Sequence, residues 1–395
     1  MPPRVLFLDH AAVMGGAEWS LLDLARHFAA GSMVLLFEDG PFRARLEAAG
    51  VAVEVMEAPV SVSRVRRQGG LLQDVRSLPG VLKLARQIAQ RARSYDLLYA
   101  NSQKAFIVAA LAGRWARRPV VWQLRDLLTA AHFSDTHRRL VVRLANRWTA
   151  RVIANSEATA AAFVAGGGQA AKVRVVHNGI APESFSAVDR AEVEALRDEL
   201  GLCGVPIVGV FSRLASWKGQ HVLLEALTEL PEVHAVLVGT ALFEEEAYAA
   251  SLRRLVETLD LADRVHFLGF REDIPALLHL VDIVVHTSTA PEPFGRVVVE
   301  GMLAGRPVVA ARAGGVLEII EDGITGLLVE PGEAAMLAQA LDCLLSDPKA
   351  ARTIAEAGQA AALDRFSLDR MLAEIEQQIE AVPKPPGRVW LVDTV

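Results

Sequence analysis

The hydrophobic positions along the chain predict strands that alternate with helices. Short, continuously apolar runs recur from the start, and Ala-, Leu- and Arg-rich segments with helical spacing separate them. Continuous apolar runs are typical of strands buried on both faces, and repeated alternation with helices favours a parallel, doubly wound α/β sheet. The predicted strands of the first half are "RVLFLD", "SMVLLFE", "VAVEVM", "DLLYAN", "PVVWQL", "RVIANS" and "VRVVHN".

This alternation lapses after "VVHNGI", where a turn, a charged helix and a Gly/Pro-bearing connection follow, and then it resumes. The second series is "PIVGVFS", "HAVLVG", "RVHFLGF", "DIVVHTS", "RPVVAA" and "TGLLVE". A chain of 395 residues is also too long for one ordinary core. We therefore predict two Rossmann-like domains, at 1–182 and 205–366, which face each other across a cleft. Residues 183–204 would be the linker, and residues 367–395 a C-terminal helix and tail that pack across the domains.

Three helices stand out in the hydrophobic pattern. The first is predicted from about Ala17 to Ala30, after the loop "HAAVMGG", and the last from about Ser367 to Glu380. The segment from Ser61 to Arg93 reads in part as an amphipathic helix that breaks at Pro79-Gly80, because proline interrupts helical hydrogen bonding.

Charge is distributed unevenly, although the formal net charge is only −6. Residues 1–180 hold 24 basic and 13 acidic side chains, whereas the remainder holds 17 and 34. The basic half is therefore expected to meet something anionic, such as a phosphorylated substrate or a membrane surface. Eight of the basic side chains lie between Ser61 and Arg93. A solvated helix face explains them, and so does interfacial contact with a membrane or with an anionic acceptor.

The composition argues against several classes of protein, namely membrane-spanning, secreted, metal-binding and nucleic-acid-binding proteins. No apolar run is long enough to span a bilayer, and Asp9 and His10 interrupt the first apolar run too early for a secretory signal. The two cysteines, Cys203 and Cys343, lack metal-ligand spacing. We expect a cytoplasmic protein with no bound metal, and peripheral contact with the cytoplasmic face of the membrane is compatible with this location. Basic stretches with few aromatics between them do not favour nucleic acid as a partner.

Candidate chemistry is sought where parallel strands end, because ligands of open α/β sheets bind there. Gly15-Gly16 follows the first strand and opens a helix, so backbone N–H groups there can approach an anion. A tight turn is the alternative. Arg213 and Lys218 lie five residues apart in "FSRLASWKGQ", a loop that follows a strand. A diphosphate needs such fixed cations, although two solvated loop cations would look the same in sequence.

The stretch "EPFGRVVVE" places two carboxylates, Glu292 and Glu300, eight residues apart after the strand "DIVVHTS". We predict a helix from Phe294 to about Leu303, so that the carboxylates would lie about 12 Å apart. Carboxylates accept bonds from adjacent hydroxyls, and the Gly295 N–H at the helix start can face phosphate. Two surface glutamates are the alternative.

Together these motifs resemble glycosyltransferase family 4, which contains retaining enzymes of the GT-B fold. The resemblance rests on Gly15-Gly16 and on the motifs "SRL...KG", "FLGF", "EPFGRVVVEGMLAGRPVVA" and "GGVLEIIEDGITGLLVEPG", in this order. It is specific from about residue 206 to 345 and looser in the first half, where "NS" at 155–156 and "HNGI" at 177–180 carry it.

The resemblance implies a role for each site residue. Arg213 and Lys218 would bind the donor diphosphate, Glu292 would contact the donor sugar, and Glu300 would hold the ribose. The turn around Phe270 would border the nucleobase. The backbone amides around Phe294, Gly295 and Arg296 would sit against sugar and phosphate, while Gly15 and Gly16 would approach the donor from the other domain.

A metal-free mechanism is expected, because the sequence has no Asp-x-Asp motif to hold a divalent ion. Arg, Lys and helix N-termini would then stabilise the charge of the leaving group. The acceptor is expected to attack on the face that the nucleotide leaves, with retention of configuration. A double displacement through Glu292 is the less favoured course.

The sequence departs from the family at one place. Many members have a histidine after the strand that corresponds to "VVWQL", whereas this chain has Arg125, followed by Asp126. Arg125 is predicted to be catalytic, in contact with sugar, phosphate or an anionic acceptor, with a structural ion pair as the alternative. His10 is the other candidate for the cleft histidine. We interpret His132, His137 and His286 as non-catalytic.

The sequence leaves three alternative functions to be distinguished. The first is a retaining glycosyltransferase with a UDP- or GDP-sugar donor, no other cofactor, and a glycan, lipid-linked or small-molecule acceptor. The second is a GT-B sugar-nucleotide epimerase or phosphorylase. The third is a non-catalytic binder of nucleotides or anionic surfaces. The sequence leaves the donor sugar, the acceptor and the oligomeric state open.

Overall fold

The chain folds into two compact units, each with its own parallel sheet. The first unit comprises the residues up to His177 together with those from Met371 onward, and the second runs from Asn178 to Arg370. The computed structural model of the chain describes residues 3–58, 71–130, 133–186, 188–242 and 245–383.

A seven-stranded sheet forms the centre of the first unit. Its strands are β1 (Val5–Asp9), β2 (Met33–Leu36), β3 (Val53–Val55), β4 (Leu97–Ala100), β5 (Val120–Leu124), β6 (Arg151–Ala154) and β7 (Val173–Val175). The spatial order is β3-β2-β1-β4-β5-β6-β7, and every neighbouring pair is parallel. Every residue of β1, β4 and β5 is buried, which explains their continuous apolar runs.

Helices cover both faces of a sheet with this connectivity. In this unit they are α1 (Gly16–His27), α2 (Pro41–Ala48), α3 (Leu71–Ala92), α4 (Gln103–Ala116), α5 (Asp135–Trp148) and α6 (Glu157–Ala165). Serine side chains cap the first turns of α4, α5 and α6, where each accepts a backbone N–H that the helix leaves unpaired. These serines are Ser102, Ser134 and Ser156.

The predicted break at Pro79-Gly80 is wrong, because Pro79 lies inside the continuous helix α3. The second half of α3 buries Leu84, Ala85 and Ile88 in the same hydrophobic cluster as residues of α4. This packing offsets the one backbone hydrogen bond that proline cannot donate.

The second unit has a six-stranded sheet. Its strands are β8 (Ile207–Phe211), β9 (His234–Val238), β10 (Val265–Gly269), β11 (Ile283–His286), β12 (Val308–Ala311) and β13 (Leu327–Val329). The spatial order is β10-β9-β8-β11-β12-β13, again entirely parallel. All thirteen apolar runs that we predicted to be strands contain one, and the doubly wound α/β class is confirmed for both sheets.

Nine further α-helices complete the described residues. They are α7 (Glu183–Ser186), α8 (Arg190–Glu199), α9 (Gln220–Ala226), α10 (Glu246–Thr258), α11 (Ile274–Leu280), α12 (Arg296–Leu303), α13 (Ala334–Ser346), α14 (Pro348–Arg365) and α15 (Leu368–Glu380). From Met371 onward α15 belongs to the first unit, where Met371 accepts a hydrogen bond from Ser20. The tail from residue 384 lies outside the described residues.

In each sheet the strand order reverses direction at one point, between β1 and β4 in the first and between β8 and β11 in the second. Two neighbouring strands there send their following loops apart, which opens a crevice at their carboxyl ends. Each crevice is therefore the place to look for a functional site within its own unit.

Candidate functional site

A one-turn 3₁₀ helix, Ser216–Lys218, carries Lys218 at the switch point of the second sheet. The Lys218 carbonyl accepts a hydrogen bond from the Thr287 hydroxyl at 2.8 Å. The Trp217 carbonyl accepts one from the Thr289 backbone N–H, also at 2.8 Å. Gly219 follows with φ of 69°, and a Cβ there would lie 2.1 Å from the Thr287 carbonyl oxygen. The loop that carries Lys218 is thus fixed to the segment after β11.

Glu292 is the centre of this site, and each of its carboxylate oxygens has its own partners. Lys218 Nζ lies 2.5 Å from Oε1. His286 Nε2 lies 2.7 Å from Oε2, and the Ser288 hydroxyl donates to the same oxygen at 2.9 Å. The side chains of Lys218 and Glu292 are only 13% and 14% exposed. A carboxylate and an ammonium group are therefore held together largely out of water.

The electrostatics of Glu292 result from these contacts. Burial alone would raise the pKa of Glu292, but the charge of Lys218 and the hydrogen bond from His286 outweigh it and hold the pKa well below its usual range. Glu292 is consequently ionised throughout the physiological range. Since a strong general base needs a pKa near the working pH, this carboxylate is suited to accept hydrogen bonds and poorly suited to take up a proton.

The backbone of Glu292 is fixed by two glycines in the loop after β12. The Glu292 carbonyl accepts a hydrogen bond from the Gly315 N–H at 2.8 Å. Gly314 has φ of 65°, and a Cβ there would lie 2.2 Å from the Glu292 carbonyl oxygen. A Cβ on Gly315 would meet the Pro293 carbonyl oxygen at 2.5 Å. Only glycine permits this close approach of two backbone segments, which explains the "GG" of "AGGVLE".

Arg213 lies in the same loop as Lys218, and the charged groups of both approach the Trp217 indole. The Arg213 guanidinium carbon is 5.6 Å from the Trp217 ring, and Lys218 Nζ is 4.4 Å from it. The Arg213 carbonyl accepts a hydrogen bond from the amide of Gln220, which is fully buried. The two predicted cations are therefore brought to one aromatic side chain, with geometry that allows cation–π attraction for both.

The helix that carries Glu300 begins later than we predicted. It starts at Arg296, not Phe294, because Gly295 adopts a left-handed conformation with φ of 105°. The Phe294 side chain is 2% exposed and packs against Phe366, with ring centroids 5.7 Å apart, so it belongs to the core. Arg296 donates through Nε to Glu300 at 2.7 Å, one turn apart on α12. Glu300 is thus a glutamate within α12 that is ion-paired with the first residue of the helix.

The turn after β10 presents Phe270 with 66% of its surface exposed. The neighbouring Arg271 forms a bidentate ion pair with Asp273, with distances of 2.8 and 2.5 Å. Gly269 precedes Phe270 with φ of 69°, and its carbonyl accepts a hydrogen bond from the Gly239 N–H at 2.7 Å. A large aromatic ring is therefore held in solvent by a hydrogen-bonded turn. Its predicted role beside a nucleobase stays a prediction.

In the first unit, the switch point gathers a buried polar network around Arg125. Asp9 ends β1 and is fully buried, and it accepts a hydrogen bond from Asn101 Nδ2 at 2.6 Å. Arg125 donates through Nε to Asn101 Oδ1 at 3.0 Å and through Nη2 to the Ser20 hydroxyl at 3.0 Å. Burial acts to raise the pKa of Asp9, but hydrogen bonds from His10 and Asn101 lower it overall. Arg125 is therefore linked to a buried anion through one amide.

Glu18 lies at the turn formed by Gly15 and Gly16 and is 8% exposed. The backbone N–H groups of Gly15 and of Glu18 itself act to lower the pKa of this carboxyl group, which lies in the first turn of α1. A Cβ on Gly15 would lie 2.8 Å from Glu18 Oε2. Burial first, and the nearby charge of Asp9 second, raise the pKa of Glu18 to about 8. The first helix of the unit thus begins on a buried carboxyl group.

Several residues of these networks were missed in the sequence, namely His286, Ser288, Asp9 and Asn101. His286, which we interpret as non-catalytic, contacts Glu292 directly, and its role stays a prediction. Position was the available signal, because each of these residues ends or follows a strand at a switch point. His10, the other candidate for the cleft histidine, approaches the Ser102 hydroxyl through Nδ1 at 2.7 Å. His132 lies outside the described residues.

Two further predictions concern a metal and a membrane. Within the described ranges, no group of three or more His, Cys, Asp or Glu side chains is arranged to hold a metal ion. No helix in that part of the chain combines the length and apolar character needed to cross a bilayer. Much of the basic segment, residues 61–77, lies where the structure describes no side chains. Membrane contact therefore stays a prediction.

Comparisons with known proteins identify the family of the chain. Residues 193–361 match the family model for group 1 glycosyl transferases, and residues 15–179 match that for a glycosyl transferase 4-like domain. Among curated proteins, the chain is 31% identical over 212 residues to a lipopolysaccharide core biosynthesis glycosyltransferase, LpsE, of Rhizobium meliloti. It is 34% identical over 200 residues to a D-inositol 3-phosphate glycosyltransferase of a Mycobacterium species.

These two matches cover 54% and 50% of the chain, and they span 59% and 45% of the relatives' own lengths. A solved structure is similar over a longer range. HepE of Anabaena, crystallised in complex with UDP and glucose, is 43% identical and superimposes with a TM-score of 0.88. That match covers 96% of this chain and all of the HepE chain. The chain therefore belongs to the group 1 glycosyltransferases of family 4, transferase enzymes of the GT-B fold.

Proposed function

We propose that this enzyme is a retaining, metal-independent glycosyltransferase with a UDP-sugar donor. The observation that carries the proposal is the ion pair of Lys218 and Glu292, largely buried at the switch point of the second sheet. One of these groups suits an anionic leaving group and the other suits sugar hydroxyls. UDP is favoured over GDP because HepE, 43% identical over nearly the whole chain, was crystallised with UDP and glucose.

The donor diphosphate would be bound by Arg213 and Lys218. Guanidinium supplies a planar fork for two phosphate oxygens, and ammonium supplies a compact charge beside it. Both groups are already oriented by contact with Trp217. Cations fixed before the reaction stabilise the charge that develops on the leaving phosphate without reorganisation. This electrostatic role is the one a divalent ion would otherwise fill.

Glu292 would accept hydrogen bonds from the donor sugar. Its lowered pKa makes it a weak base and a weak nucleophile, which argues against a double displacement. The acceptor hydroxyl would instead attack the anomeric carbon on the face that the diphosphate leaves, and pass its proton to the departing phosphate oxygen. The products are the glycoside, with its configuration retained, and UDP.

The other predicted residues keep their proposed roles. Glu300 would hold the ribose hydroxyls, Phe270 would border the base, and the backbone near Gly295 would face the phosphate. In the first unit, we propose that Arg125 and the Gly15-Gly16 turn contribute to donor or acceptor binding. The acceptor would carry a free hydroxyl, on a glycan, a lipid-linked sugar or a small molecule.

The proposal is tested by nucleotide binding and turnover. UDP is expected to stabilise the protein against thermal unfolding by about 2.7 kcal/mol at a hundredfold excess over its dissociation constant, and GDP by less. UDP-glucose is the first donor to try, and UDP should be released faster when an acceptor glycan is added, with or without EDTA. Stabilisation by no nucleotide would contradict the proposal. Conversion of the UDP-sugar without acceptor would favour the epimerase alternative.

A further inference from the structure

His286 and Ser288 form a clamp on one oxygen of Glu292, separate from the contact made by Lys218. Both contact Oε2, at 2.7 and 2.9 Å, whereas Lys218 contacts Oε1. Because an ionised carboxylate only accepts hydrogen bonds, His286 must carry a proton on Nε2 and donate it. The opposite ring nitrogen, Nδ1, is buried and has no hydrogen-bond partner among the described residues. The polar contacts of this ring are therefore made through Nε2, toward Glu292 and the adjacent Ser288 hydroxyl.

The two sides of Glu292 differ in how easily they move. His286 is the last residue of β11, an interior strand, and is 4% exposed, while Ser288 is 1% exposed. Lys218 reaches Glu292 at the end of a flexible four-carbon stem from a loop. One oxygen of the carboxylate is therefore held by a rigid strand end, and the other by a side chain that can turn away.

The proposed function asks two things of Lys218 that it cannot do at once. The ammonium now neutralises Glu292, yet a diphosphate would draw the same ammonium to the more highly charged group. When Lys218 turns to the diphosphate, Oε1 loses its partner inside a largely buried site. A carboxylate that has lost this partner would rotate or turn toward solvent, unless other hydrogen-bond donors hold it in place.

We propose that His286 and Ser288 are positioning residues that keep Oε2 of Glu292 in place while Lys218 moves from Oε1 to the donor diphosphate. Oε1 then becomes free to accept a hydrogen bond from a hydroxyl of the donor sugar. Lys218 and Glu292 thus pair with each other before the donor binds. When a sugar nucleotide binds, Lys218 pairs with the diphosphate and Glu292 Oε1 with the sugar. The inference rests on the proposed function and assigns the order of contacts within that site.

The clamp is tested by separating binding of the nucleotide from use of the sugar. UDP carries the diphosphate but lacks the sugar to be transferred, so its dissociation constant reports mainly on the contacts of the diphosphate with Lys218 and Arg213. The orientation of Glu292 toward the donor sugar is reported by kcat. His286→Ala should leave the dissociation constant of UDP within about twofold of wild type and lower kcat with UDP-glucose by at least roughly tenfold, as expected for a lost hydrogen bond to a charged group. Ser288→Ala should lower kcat less, because His286 remains.

Rescue and control variants exclude a general structural effect. His286→Gln places an amide donor near the position of Nε2 and should recover most of the lost kcat. His234→Gln makes the same substitution at the start of β9, at a distance from the switch point, and should leave kcat and UDP binding unchanged. Calorimetry for UDP and a UDP-release assay supply both quantities.

The pattern across these variants decides for or against the clamp. The proposal is supported if kcat falls in His286→Ala, is recovered in His286→Gln, and UDP binding holds throughout. It is overturned if His286→Ala transfers sugar within twofold of wild type, or if UDP affinity and kcat fall together and glutamine does not restore them. If the wild-type enzyme neither binds UDP nor uses UDP-glucose, the proposed function fails first, and the clamp fails with it.

Discussion

Glu292 and Glu300 are both ion-paired within the second unit, but their surroundings differ. Glu292 has donors on both oxygens, and three side chains fix it. Glu300 is 16% exposed and pairs with Arg296, a neighbour on the same helix. A carboxylate fixed on both oxygens serves a reaction that tolerates little displacement, whereas one paired with a helical neighbour can adjust to a ligand. The same substitution should therefore have different consequences at the two positions.

Replacing each glutamate by its amide should separate catalysis from nucleotide binding. Glu292→Gln is expected to lower kcat by roughly a hundredfold or more, because the charge opposite the developing sugar cation is lost. UDP affinity should be unchanged or higher, because Lys218 no longer has to leave a carboxylate to reach the diphosphate. Glu300→Gln is expected to weaken UDP binding by roughly tenfold, with a smaller effect on kcat at saturating donor. Calorimetry and UDP release measure both, and circular dichroism checks that each variant is folded. The reverse pattern would contradict the assigned roles.

Single residues were predictable from sequence only where the loop context marked them. Arg213, Lys218 and Glu292 lie in short segments that follow apolar strands, and Glu300 lies in the helix that comes next; their charge is visible in the sequence. The contact of His286 with Glu292 was not predictable from the sequence, because a histidine at a strand end looks the same whether it contacts a carboxylate or a carbonyl group. Hydrogen-bond partners are set by side-chain packing in three dimensions, which the one-dimensional pattern does not contain.

At the scale of elements, the turn that carries Lys218 depends on a glycine. Gly219 joins the 3₁₀ helix to α9 with φ of 69°, and its Cα faces the Thr287 carbonyl. Gly323 has a similar φ of 76°, but no atom lies within 4 Å of the position that its Cβ would take. Substituting either glycine by a residue with a Cβ would therefore cost the free energy of a left-handed backbone. Only at Gly219 would the Cβ also clash with a neighbouring atom.

Gly219→Ala and Gly323→Ala make a matched pair. Each alanine should cost about 1 kcal/mol for the left-handed conformation. Gly219→Ala should cost roughly 1–3 kcal/mol more, because the Cβ would push the turn away from the segment after β11. Urea unfolding measures both, and UDP binding should weaken only in Gly219→Ala. Equal losses of stability in the two variants would show that the turn tolerates the extra atom.

Element types were more predictable than element ends. Every predicted strand was found, because burial on both faces of a parallel sheet leaves a continuous apolar run in the sequence. The start of α12 was misplaced because Gly295 adopts φ of 105°, a choice available to glycine but not required of it. The continuity of α3 through Pro79 depends on packing against α4, which is a tertiary effect.

At the scale of the whole molecule, the two units share an architecture but differ in the chemistry at their switch points. The second unit places a cation and a carboxylate side by side in its crevice. The first places a buried acid pair, Asp9 and Glu18, next to Arg125. From the sequence we predicted candidate loops at the carboxyl ends of strands in both halves, and the excess of basic residues in the first half. We did not predict that acids would be buried in the basic half, because their burial depends on the fold of α1.

The buried acid pair should make the stability of the protein depend on pH. The pKa of Glu18 is about 8 in the folded state, against an ordinary value of 4.5. Between these values the folded state holds a proton that the unfolded state has lost. The free energy of unfolding should therefore fall as pH rises from about 4.5 to about 8, and level off above.

Glu18→Gln isolates this effect, since glutamine keeps the shape of the side chain and one oxygen acceptor but cannot ionise. Between about pH 6 and pH 8.5, wild type should lose on the order of 2 kcal/mol of unfolding free energy more than the variant. Urea unfolding at both pH values measures the difference. Glu38→Gln, at an exposed position of the same unit, removes the same charge and should leave the pH dependence of wild type unchanged. If wild type and Glu18→Gln lose stability in parallel, the Glu18 carboxyl group is ionised in the folded protein, and another group must compensate its charge beside Asp9.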